Sequence, residues 1–126
     1  MKPPCEVIAN SILPAIRSLL VKDLAERHKF NQVEIAKKLG ITQPAVSQYR
    51  RKLRGSNYAK IINRKDIVEK IRKLSDSIAS GKNSHCEILE MYCKICKEIR
   101  KKEIICVLHA ETAPYLKKED CRVCLD

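Results

Sequence analysis

A chain of 126 residues has room for one domain or two very small ones, and with no Trp, one Phe and three Gly it reads as helices packed through Leu, Ile and Val. Asn10, Ser11, Pro14 and Arg17 interrupt the N-terminal apolar stretch, so neither a membrane span nor a secretory signal is expected, and a cytoplasmic location is. The net charge is +11, and the stretch from Arg27 to Lys65 holds 11 Lys or Arg against one acid, Glu34, while the remaining 15 bases nearly balance 14 acids. Charge gathered this way predicts a polyanionic partner, nucleic acid.

Composition divides the chain into 1–57, 58–83 and 84–126. The expected fold is all-α. A helix-turn-helix bundle is followed by a long amphipathic linker or dimerisation helix and then by a small cysteine-rich helical module that binds metal.

In chain order, Leu13, Ile16, Leu20 and Leu24 recur at helical spacing, with Asn10 or Ser11 as the cap and Pro14 in the first turn. A second helix runs from about Gln32 to Leu39 and stops at Gly40. A third opens after Thr42, its N-cap, with Pro44 in its first turn. Residues 58 to about 80 read as one long helix, in which Ile67, Ile71, Leu74 and Ile78 form a heptad-like seam ending at Gly81. That seam suits a dimer interface or packing on its own domain equally well. Ser84-His85-Cys86-Glu87 is a capping box, after which Ile88, Tyr92, Ile95 and Ile99 line one helical face.

The segment from Gln32 to Arg51 meets the demands of a helix-turn-helix. Ala36 is small where two helices must touch, and Gly40 tolerates the positive φ of a sharp turn. Ile35, Leu39, Val46 and Tyr49 face inward, which leaves Gln43, Ser47, Gln48, Arg50 and Arg51 outward on the second helix. In a major groove Gln43 and Gln48 suit base edges through their paired amide groups, and Ser47 can donate or accept. Thr42 stands at the start of that helix, and Arg50, Arg51, Lys52 and Arg54 lie further along, near phosphate or guanine. Gln32 is placed to hydrogen-bond a backbone phosphate.

Gln32, Ala36, Gly40, Gln43 and Val46 fall where the lambda-repressor/XRE helix-turn-helix carries its characteristic residues, and the segment resembles that family. Pro3-Pro4-Cys5-Glu6, Leu13-Pro14-Ala15-Ile16-Arg17 and the run from Gly40 to Tyr49 more narrowly resemble archaeal regulators whose N-terminal domain is also found fused to a thiamine-phosphate-sensing domain. The resemblance covers roughly the first 57 residues and implies a helical bundle and double-stranded promoter DNA as ligand. The large ligand domain is missing from this chain, so thiamine phosphate is not carried over.

Seven cysteines in a chain not expected to be exported point to metal or redox chemistry rather than to disulfides. Cys93 and Cys96 form one Cys-x-x-Cys pair, Cys121 and Cys124 another, with 24 residues between them. Two such pairs supply four thiolates for tetrahedral zinc or for an iron–sulfur cluster. Cys106 and His109 are alternates for one member, or close a site with Cys93 and Cys96. The surplus of thiols over the needs of one zinc favours a [4Fe-4S] cluster, with Zn2+ as the alternative, and a metal-free thiol–disulfide switch is a third reading. Cys86 is a weaker candidate, and Cys5 reads as a small buried hydrophobe. The expected function is a homodimeric transcriptional regulator that senses redox or metal status. The alternative is an adaptor protein with a structural zinc module and incidental nucleic-acid binding. No βαβ pattern surrounds the cysteines and no phosphate loop is visible, so an enzyme is not expected.

Overall fold

The structure, a computed structural model, describes Glu6, residues 8–51, Ile62 and residues 64–101. Among these the regular elements are all helical: a π-helical turn Ile8–Ile12, then α1 (Leu13–Glu26), α2 (Gln32–Leu39), α3 (Gln43–Arg50), α4 (Lys65–Ser80) and α5 (His85–Lys101).

The entry to α1 differs from the sequence expectation. Ile12, just before the helix, already has helical dihedrals and makes no side-chain cap, because the chain arrives from the π-helical turn instead of from an extended cap. Pro14 in the first turn has no N–H to donate backwards, so the preceding turn is free of an α-helical partner there. Asn10 is exposed and Ser11 is buried, and neither caps α1.

The next boundaries follow the sequence closely. Asn31 caps α2, accepting from the Glu34 N–H at 2.8 Å, while the Glu34 carboxylate accepts from the Asn31 N–H at 3.2 Å. Gly40 sits at φ 67° and ends α2, and the Ile41 N–H donates to the Ala36 carbonyl at 3.1 Å. This closes orphan carbonyls at the helix end. Thr42 is extended, and its hydroxyl oxygen accepts from the Ala45 N–H at 3.2 Å. Gly40, Ile41 and Thr42 therefore make the whole turn between α2 and α3.

The helix expected over residues 58 to about 80 is interrupted before Lys65: Ile62 is helical, and residues 58–61 lie outside the described residues. Arg64 is extended at φ −107°, ψ 144°, and α4 starts at Lys65 and ends at Gly81 in the left-handed region. Ser84 and Glu87 form the expected box at the start of α5, with bonds of 3.1 and 3.5 Å.

A single cluster of buried residues draws on all three compositional regions, from Ile12 to Ile99. Helix α1 gives Ile16, Leu20 and Leu24, α2 gives Ile35, and α3 gives Val46 and Tyr49. Ile67, Ile71, Leu74 and Ile78 of α4 are all buried, and α4 packs on α1 along one side and on α5 along another. The heptad-like seam is thus covered by its own chain. Lys70 of α4 pairs with Glu98 of α5 across that contact.

Candidate nucleic-acid interface and thiol face

Helices α2 and α3 pack on each other and both pack on α1, which divides α3 into two faces. Ala45, Val46 and Tyr49 are buried. Gln43, Arg50 and Arg51 are exposed, and Ser47 and Gln48 are half-buried. The alternation arises because an eight-residue helix anchored by Val46 and Tyr49 on α1 must turn positions 43, 47 and 50 away from the core. At 1.5 Å per residue α3 is about 12 Å long, a length that fits a major groove. No acidic residue stands in its first turn, so the positive end of its dipole is not offset locally.

Two expected contacts look different at atomic level. Thr42 is exposed, but its hydroxyl oxygen already accepts the Ala45 N–H, so it acts first as a cap. Gln32 is half-buried at the start of α2, and the exposed Glu34 carboxylate shares that helix end. A phosphate there would meet a negative neighbour, which leaves the Gln32 side chain rather than the helix terminus to make the bond. Lys52 and Arg54 lie outside the described residues.

Arg27, counted in the basic stretch, is neutralised. One of its terminal nitrogens lies 3.1 Å from Asp23 and the other 2.8 Å from Asp76 of α4, and His28 Nε2 lies 2.9 Å from the same Asp76 oxygen. Asp76 is 49 positions from Arg27, too far for any local pattern to reveal. Asp23, His28 and Asp76 also gather ligand atoms within 4.8 Å of one another, the one such group among the described residues. The guanidinium bonds to both carboxylates and its single charge offsets one of the two, so the cluster is explained as an ion-pair network without a metal ion.

The thiols lie on α5. Cys93 and Cys96 are three apart and so share one face; Cys93 is exposed and Cys96 half-buried. Burial pushes the Cys96 thiol up, a Cys93 thiolate pushes it further, and Arg100 opposes both. The two sulfur positions fit as half of a soft-metal set, provided that binding displaces the Cys96 proton. Cys86, two turns earlier, is exposed. Cys106, His109, Cys121 and Cys124 lie outside the described residues. No helix among the described residues is long and apolar enough to cross a membrane.

No known protein family, no curated protein and no solved structure matches this chain.

Proposed function

We propose that the chain is a sequence-specific DNA-binding transcriptional regulator of the lambda-repressor/XRE helix-turn-helix type, with α3 as its recognition helix. The observation that carries this reading is the outward set Gln43, Ser47, Gln48, Arg50 and Arg51, held opposite buried Ala45, Val46 and Tyr49. Gln43 and Gln48 offer paired donor and acceptor groups to base edges, and Arg50 and Arg51 grip phosphate or guanine. Thr42 fixes where the helix begins, and Lys52 and Arg54, next in sequence, add positive charge for phosphate. A homodimer would match a two-fold operator, and it would use a surface other than the α4 seam, which is buried within the chain.

Cys93 and Cys96, completed by Cys121 and Cys124, are the proposed metal ligands, with Cys106 and His109 as alternates. An iron–sulfur cluster would supply one-electron redox chemistry and so a signal, whereas zinc would supply structure alone. Metal analysis and visible absorption of anaerobically purified protein separate the two.

Electrophoretic shifts at matched salt on the DNA upstream of its own coding region, against random duplex of equal length, test the DNA reading. Gln43→Ala is expected to cost roughly 1–3 kcal/mol on the specific site and to leave random duplex unaffected. Arg51→Gln should weaken both and lower the salt slope by about one. Equal affinity of the unaltered protein for the two duplexes would rule the specificity out, and full biological activity of a Gln43→Ala, Ser47→Ala variant would favour the adaptor.

A further inference from the structure

A cavity of about 590 Å³ opens between α1, the last turn of α2, the end of α4 and α5. That size lies within the range of small-molecule sites, on the order of 300–1,000 Å³. Leu20 of α1, Leu39 of α2, Ile78 of α4, and Ile88 and Tyr92 of α5 make its walls apolar. At its edge Leu89 is 63% exposed, one of two large apolar residues left that open among the described residues.

The charged lining is one-sided. Arg17, Lys38, Lys97 and Arg100 reach the cavity from three different helices, and no carboxylate lines it among the described residues. Like charges converging on an apolar hollow raise the local potential, because low-dielectric walls screen them less than water does. The Tyr92 hydroxyl is buried there, and Arg17 lies close enough to donate to it.

We infer that this cavity binds a small amphipathic anion, with an apolar body among the leucine, isoleucine and tyrosine side chains and a single carboxylate among Arg17, Lys38, Lys97 and Arg100. A neutral sugar fits poorly, because among the described residues no carboxylate lines the cavity to accept from its hydroxyl groups. The assignment does not rest on DNA binding; Cys93 and Cys96 also line the cavity, so metal held there would share the lining with the ligand, and the titration is run on metal-free and metal-loaded protein.

Calorimetric titration of the full chain with decanoate, decanol and decyltrimethylammonium, each kept below its aggregation threshold, tests the inference. Decanoate should saturate at one equivalent, and the neutral and cationic probes should bind at least ~10-fold more weakly, as charge complementarity requires. Lys38→Gln with Lys97→Gln, two exposed positions, should weaken decanoate at least ~5-fold and leave decanol unchanged, since only the anion uses those charges. Ile88→Trp should fill the cavity and abolish binding of all three. Should that variant fold poorly by circular dichroism, the lysine pair still decides. Absence of saturation, equal affinity for the three probes, or decanoate binding indifferent to loss of both lysines would overturn the assignment.

Discussion

The α2–α3 unit and α5 are built by the same local devices and end in different kinds of surface. Each begins with a polar cap, Asn31, Thr42 or Ser84, and each buries a stripe of aliphatic residues. In α2–α3 the stripe, the turn and the outward polar set all lie within 20 consecutive residues, from Gln32 to Arg51. The surface of α3 is therefore complete once the segment folds onto α1. Helix α5 presents Cys93 and Cys96, half of the proposed four-ligand set, and walls a cavity whose other sides come from α1, α2 and α4. A surface made by one segment can be read from that segment; one assembled from several cannot.

The comparison is broken most forcefully through α4, which packs on both α1 and α5. Leu74 of α4 is fully buried in the shared core. Leu74→Ala should cost roughly 2–5 kcal/mol through lost burial and a cavity. Urea unfolding followed by hydrogen exchange should show α1 and α5 destabilised together. Loss of protection in α5 alone would mean that the α2–α3 unit and α1 form a separately stable part.

Gly40→Ala probes the turn on which α3 depends. A Cβ at Gly40 would meet nothing within 4 Å, so the cost is conformational rather than steric. Holding a non-glycine residue at φ 67° should cost about 1–2 kcal/mol. Gly81→Ala at the end of α4 carries the same φ, and its Cβ would make ordinary contact with Lys38 Nζ at 3.5 Å. Thermal unfolding should therefore give similar losses for the two, but only Gly40→Ala should shift DNA affinity.

These features show how much could be read in advance. The ends of α2 and α3 were legible because Gly40, Thr42 and Pro44 each act on their own backbone. The buried faces of α4 and α5 were legible because periodicity is local, although what covered the α4 seam was not. The π-helical turn escaped notice because Asn10 and Ser11 are good caps in isolation, while the preceding residues extend the helix past them. The Asn31 and Glu34 box could have been found, since its spacing matches that of Ser84 and Glu87. The Arg27–Asp76 pair and the cavity join positions distant in sequence, so no window along the chain contains them.

The caps allow a finer comparison. Thr42→Ala removes the hydroxyl that accepts the Ala45 N–H, and Ser84→Ala the one that accepts the Glu87 N–H, each at about 1 kcal/mol. Chemical denaturation should show nearly equal losses, whereas electrophoretic shifts should weaken for Thr42→Ala alone. Weakening by Ser84→Ala as well would couple α5 to the proposed DNA-reading surface of α3.

The smallest expected effect lies in the protonation of Glu87, and it decides whether the start of α5 is closed in solution. The Asn83 side-chain amide donates to this carboxylate at 2.9 Å and holds its pKa below 4.5, with the Ser84 N–H and hydroxyl adding to that shift. A carboxyl group with a depressed folded pKa contributes stability above its ordinary pKa and loses it as pH falls through the folded value. The box should therefore support α5 fully at neutral pH and release it only in acid. Carbon-detected NMR titration should place Glu87 below the ordinary glutamate range, and Asn83→Ala should return it towards 4.5. An ordinary value in the unaltered protein would mean that the first turn of α5 frays, shortening the helix that carries Cys93 and Cys96 from its N-terminal end.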